Sequence, residues 1–171
     1  MIKYIFHPDY LPEEEFSRVH ALLVTGDERI LMRVKNGEPR ITGGHIDPDD
    51  VDMYAALGRE VLEEINCEID RVAYVGYLEM IDEDTGEHEF WARMIALVSK
   101  ILPPRADPDR EEEWIYGRIL APIEVATEEL AQAFPTNREF VKEALKVARE
   151  QDFWTDLPSE EYEVLNTEKH S

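Results

Sequence analysis

Apolar residues recur along this chain in two rhythms, and the switches between them mark out its elements. Residues 17–25 (SRVHALLVT) and 29–34 (RILMRV) are short runs of mainly aliphatic and β-branched residues. They predict two strands joined at Gly26-Asp27-Glu28. Asn36-Gly37-Glu38-Pro39 is a second turn signal, from which an extended Arg40-Ile41-Thr42 leads into Gly43-Gly44. From Met53 to Ile65 the spacing becomes helical. At about 100° per residue, Tyr54, Leu57, Val61 and Ile65 share one face, with Leu62 at its margin, and this stripe is expected to face the core. Asp50 or Asp52 can cap the start of this helix, and Asn66 suits a left-handed residue just past its end. Residues 69–80 and 89–101 read as long strands joined through Asp82-Glu83-Asp84-Thr85-Gly86. Pro103, Pro104 and Pro108 break a loop over 103–109, and 114–120 reads as a further strand. Helical stretches at 124–134 and 137–151 follow, separated by Pro135.

Strands, a central helix, more strands and then terminal helices do not make the regular alternation of a doubly wound parallel sheet. The order predicts an α+β fold, a mixed sheet with helices packed on it. The opening Met1-Ile2-Lys3-Tyr4-Ile5-Phe6 is an apolar patch too short for a signal peptide and is interrupted by His7-Pro8-Asp9. It is assigned to no element. Residues 156–171 are acidic and polar and are expected to form a mobile tail, leaving 1–155 as one domain.

Composition narrows the function. A chain of 171 residues, 43% hydrophobic, can bury a core without staples. The single cysteine, Cys67, excludes an internal disulfide framework and fits a reducing compartment. No apolar run approaches the roughly 18 residues that span a bilayer, so a soluble, cytoplasmic protein is expected. With 39 acidic against 18 basic residues the net charge is −21, which disfavours nucleic-acid polymers and anionic membranes as partners. Much of that charge serves as a solvated acidic surface.

One cluster of acids has more to offer. Glu60, Glu63 and Glu64 fall within roughly a 100° arc of the helix, with Arg59 beside them. Alone this is an ordinary acidic helix face. Oxygen-rich clusters also hold Mg2+, usually through a few carboxylates and substrate phosphates. Gly43-Gly44, where backbone can approach a ligand closely, lies just upstream. Five residues separate Gly44 from Asp50, and Arg59-Glu60-Val61-Leu62-Glu63-Glu64-Ile65-Asn66-Cys67 follows.

This arrangement resembles the Nudix hydrolase signature: Gly, five residues, Glu, seven residues, Arg-Glu, aliphatic, any, Glu-Glu, any, Gly, aliphatic. The Arg-Glu-x-x-Glu-Glu core matches without gaps. Asp50 stands in place of Glu, eight residues (51–58) replace seven, and Asn66-Cys67 replaces Gly-aliphatic. The extra residue lies where a loop or first helical turn absorbs it, and Asn is the next residue after Gly for a left-handed position. The likeness extends in element order over about residues 19–148.

The resemblance implies a single Nudix-like domain, a mixed sheet sandwiched by helices. It implies cleavage of a diphosphate bond in a nucleoside diphosphate derivative with Mg2+, or Mn2+ in its place. Glu60, Glu63, Glu64 and the Gly44 carbonyl would hold the metal, and Arg59 would orient the glutamates. Glu112, in the run Glu111-Glu112-Glu113, is a candidate general base. Arg33, Arg40 and His45 are candidate phosphate contacts, each also readable as a surface or loop residue. Phe90, Trp91 and Trp114 read as core aromatics that could alternatively stack on a base, and Cys67 as no nucleophile. The region of 81–84 carries neither the proline nor the tyrosine that marks certain subgroups, which leaves a nucleoside triphosphate or related small nucleotide as the expected substrate. The alternative is a Nudix-like domain that binds a nucleotide or metabolite without cutting it. A homodimer would be in keeping with such proteins.

Overall fold

The computed structural model describes residues 1–103 and 116–154. Its elements run β1 (Ile2–His7), a 3-10 turn (Glu13–Glu15), β2 (Phe16–Val24), β3 (Arg29–Lys35), β4 (Glu38–Arg40), β5 (Thr42–His45), α1 (Met53–Ile65), β6 (Cys67–Asp82), β7 (His88–Ile101), β8 (Tyr116–Pro122), α2 (Ile123–Ala133) and α3 (Asn137–Glu150). The main sheet runs β1-β6-β7-β2-β3-β4, with β5 paired to β2 and β8 to β3. All pairings are antiparallel except β2 with β7, which makes the sheet mixed as expected.

Alternation along the central strands feeds two cores. On β2, Val19, Ala21 and Leu23 face the layer closed by Leu57, Val61 and Ile65 of α1. Leu22 and Val24 face the opposite layer, closed by Leu130 of α2 and by Phe140, Val141 and Ala144 of α3. The two faces of the sheet are thus covered by different helices, and a strand in its middle is apolar on both sides.

Two expectations need correction. Residues 2–7 are a strand, paired along their whole length with β6 from Ile2↔Asp82 to His7↔Tyr77. Tyr54 is 42% exposed and not part of the buried stripe, which consists of Met53, Ala56, Leu57, Val61 and Ile65. The first turn of α1 meets the approach to β2, where Tyr54 feels Glu13 and Tyr10, rather than the sheet. The expected tail and most of the 103–109 loop lie outside the described residues.

One edge of β2 is shared. Its first half pairs with β5 (Arg18↔His45 to Ala21↔Thr42) and its end with β3 (Leu23↔Leu31, Val24↔Ile30). Two strands therefore leave the same edge in different directions, and α1 follows one of them.

Candidate active site

The carboxylates owe their place to how α1 is held at each end. Asp52 is the N-cap, its Oδ1 accepting the Ala55 N–H at 2.8 Å. Asn66 ends the helix in the left-handed conformation (φ 49°, ψ 58°), and its Nδ2 donates to the Pro103 carbonyl at 2.6 Å. Arg118 of β8, buried, donates to the carbonyls of Ile65 (2.7 Å), Asn66 (3.3 Å) and Leu102. A cation thus sits against the negative end of the helix dipole and satisfies carbonyls that the helix leaves open.

Asp50, the other capping candidate, has a different task. Its two oxygens accept from Arg59 Nε (3.1 Å) and Nη2 (2.8 Å), and Oδ2 also accepts the Asp47 N–H at 2.8 Å. These bonds hold the Asp50 carboxyl below the usual carboxylate range, the Arg59 contact first. The same guanidinium reaches Glu60 Oε1 at 3.0 Å, Glu63 Oε2 at 3.5 Å and the His45 carbonyl at 3.1 Å. Arg59 therefore ties the loop before α1 to two of its glutamates. Asp50, one methylene shorter than the family's Glu, still reaches it.

Glu60 and Glu64, one turn apart, bring their carboxyls together beside the Gly43 backbone. Burial pushes the Glu64 carboxyl up to about 8, against the pull of Arg33, and Glu60 adds to the rise. Arg33 Nη1 lies 3.1 Å from Glu64 Oε2. Gly44 is what lets Glu60 come over β5: an added Cβ would lie 2.7 Å from the Glu60 carboxylate.

Two close carboxyls over a bare glycine backbone are hard oxygen donors in the pattern that Mg2+ or Mn2+ uses with substrate phosphates. Among the described residues no three His, Cys, Asp or Glu side chains converge into a ready-made cation cage. Glu63 is turned towards Arg59 and is 43% exposed. The donor set at the centre of the site is therefore Glu60, Glu64 and the backbone at Gly44, and it fits a cation that takes its remaining ligands from water and substrate.

The other residues singled out in the sequence lie around this centre at varying distance. Arg40 stands opposite Arg33 in the β3–β4 register and is drawn to Glu38 at 3.4 Å. His45 is exposed at the end of β5. Phe90 and Trp91 are half-buried against the two cores. Cys67 is buried, and burial pushes its thiol up to about 12, which suits a packing residue. Glu112 and Trp114 lie outside the described residues. Sequence reading missed Arg118, the half-buried His20 and the buried Arg93. A signal existed for the last: a charge in the middle of the apolar run Ala92-Arg93-Met94-Ile95-Ala96.

Fold and site together define an α+β domain built around a glutamate-bearing helix. The NUDIX domain family model matches residues 15–163, and the chain belongs to that family. Its fold is shared with a mutant of the Bacillus subtilis pyrophosphohydrolase BsRppH (TM-score 0.65, 16% identity, 86% of this chain and 90% of that one). It is shared also with a NUDIX hydrolase from Nitrosomonas europaea (0.59, 16%, 76% and 88%) and a MutT NUDIX hydrolase from Burkholderia pseudomallei (0.51, 25%, 74% and 95%). A search of curated proteins returns no match. Among the described residues, no helix is long and apolar enough to cross a membrane.

Proposed function

We propose that this protein is a divalent-metal-dependent pyrophosphohydrolase that cuts a diphosphate bond in a small nucleotide, a nucleoside triphosphate being the leading class. The observation that carries the reading is the Glu60–Glu64 carboxyl pair, held over Gly44 and beside Arg33. Membership of a family whose fold neighbours include a pyrophosphohydrolase supports it.

Glu60, Glu64 and the Gly44 carbonyl would hold Mg2+ or Mn2+, with Glu63 joining once substrate draws it from Arg59. The bound cation would screen phosphate charge and lower the pKa of the attacking water. Everything else falls to the chain. Arg59, itself held by Asp50, fixes the Glu60 carboxyl, so that it need not reorganise during the reaction. Arg33 would pass from Glu64 to a substrate phosphate, and Arg40, across from it in the β3–β4 register, and His45 would add further phosphate contacts. Glu112 is the proposed base that takes the proton from water.

The test is a panel of nucleoside triphosphates, dinucleoside polyphosphates and nucleotide sugars, with and without Mg2+ or Mn2+, products being identified by mass. Metal-dependent cleavage that Glu60→Gln reduces by about 100-fold or more, with folding intact, supports the reading. Tight nucleotide binding with no product from any of them would leave a binding domain instead.

A further inference from the structure

The path β1-β6-β7-β2-β3-β4 has an edge strand at each end, and the two are built differently. β4 is three residues long and carries Pro39, which blunts it against pairing with another chain. β1 is six residues long without a proline, and its register with β6 is unbroken. Lys3, of a type that often guards an edge, is drawn back to Glu83 at 2.7 Å. Nor does the chain fold over β1 at either end. The Met1 ammonium is bonded to Asp84 of the β6–β7 turn at 2.8 Å. After His7 the backbone crosses inwards over Gly76 of β6, where an added Cβ would lie 2.3 Å from the His7 carbonyl oxygen and 3.0 Å from Pro8 Cα.

One bond shows which backbone groups stay open. The Glu83 N–H donates to the Met1 carbonyl at 3.0 Å, which makes Met1 and Glu83 a hydrogen-bonded pair one step beyond Ile2↔Asp82. Bonded and non-bonded pairs alternate in an antiparallel ladder, so Lys3, Ile5 and His7 direct their N–H and C=O to β6. Those of Ile2, Tyr4 and Phe6 point out along the free edge, and among the described residues no other group bonds to them. The side chains beside this row include Ile2, 50% exposed on one face, and Ile5, 41% exposed on the other.

A strand of another chain would complete the row, and charge favours a second copy. At −21 the protein repels its own kind over most of its surface, yet residues 1–8 hold no acid. Laid antiparallel on itself with Tyr4 at the two-fold axis, β1 sets Tyr4 against Tyr4, and Ile2 against Phe6 of the second copy. Two backbone bonds form at each such pair, about six in all. Pro8, which has no N–H, then falls beyond the ladder, and Lys3 stands opposite Ile5, so that no like charges meet directly. Registers centred elsewhere bring Pro8 into the ladder or leave Phe6 unpaired.

We propose that two copies of this chain join through β1, antiparallel about Tyr4, so that one sheet runs through both. An edge of this length buries about 1,000 Å2 in total, at the low end for specific interfaces, so the dimer is reversible, with a dissociation constant of about 10–100 μM.

The test is sedimentation equilibrium of the full chain from about 1 to 500 μM, a range that brackets this constant. The wild type should pass from monomer to dimer across it, and added salt should tighten the dimer by screening the charge of each copy. Ile5→Lys, which faces Lys3 of the second copy, should weaken the dimer by about 10-fold or more. The register is read by cross-linking: Lys3→Cys and Ile5→Cys proteins, mixed and mildly oxidised, should join by a disulfide more readily than either protein alone. Cys67 is buried and does not compete. A chain that stays monomeric throughout would leave the edge to a strand of some other protein and overturn the proposal. A dimer that Ile5→Lys leaves unchanged would overturn it too, as would a mixture that cross-links no more than its parts. If Ile5→Lys does not fold, the cross-linking result decides.

Discussion

Replacing Glu64 with Gln should make the metal-free protein more stable at alkaline pH while disabling it. The Glu64 carboxyl is 11% exposed and is raised from 4.5 to about 8, chiefly by burial. In the unfolded chain it releases its proton near the ordinary value. Between those two pH values the folded state holds a proton that the unfolded state has lost. Stability from this group is therefore complete below about pH 4.5 and falls as pH rises towards 8. At about 1.4 kcal/mol per pH unit the full window corresponds to several kcal/mol. Relaxation of the site and the attraction of Arg33 reduce what is measured, and we expect about 2–4 kcal/mol. Gln fills the same space without titrating. The assay is urea unfolding of both proteins in EDTA at pH 5 and pH 8.5, read as the difference between them so that other titrating groups cancel. The two should be close at pH 5, and Gln should lead by about 2–4 kcal/mol at pH 8.5, or about 5–15 °C in melting temperature. Added Mg2+ should raise the wild type at pH 8.5 and leave the variant where it was. A difference that does not change with pH would refute the reasoning, and so would a Gln variant that is the weaker at pH 8.5.

Two further expectations follow from the geometry of α1. Gly44→Ala should leave folding within about 1 kcal/mol of wild type yet reduce metal-dependent turnover by about 100-fold, because the new methyl displaces the Glu60 carboxylate; equal turnover in steady-state kinetics would show that this approach is not used. Arg118→Met removes the donors to Ile65, Asn66 and Leu102, and should cost about 2–4 kcal/mol in urea unfolding; a loss below about 0.5 kcal/mol would mean that water replaces them.

How far the sequence reached depends on how local each cause was. The limits of α1, its left-handed Asn66 and the meeting of Glu60 with Glu64 follow from spacing within one helix, and all were legible. The choice between Asp50 and Asp52 as cap was not, because it turns on Arg59, which claims Asp50 from nine residues away. Strand β1 was missed because its partner, β6, lies some seventy residues on, and its own six residues carry no alternation strong enough to stand alone. Arg18 and His20 alternate with Val19 and Ala21, as the wet side of a one-sided sheet would. Only α3, more than a hundred residues later, turns that side into an interior.

The parallel pairing of β2 with β7 also bears on how the chain comes off the ribosome. Residues 16–24 find their long partner only when 90–97 have been made, and until then β2 has β5 and two register pairs with β3 along one edge and α1 over one face. At about 5–20 residues per second that interval lasts on the order of ten seconds. For that time Leu22, Leu23 and Val24, which end wholly enclosed, are in reach of other nascent chains. Yield in a cell would then depend on holding chaperones and on slow synthesis more than on the stability of the finished protein, and lowering the temperature of expression should help even where the purified protein melts high.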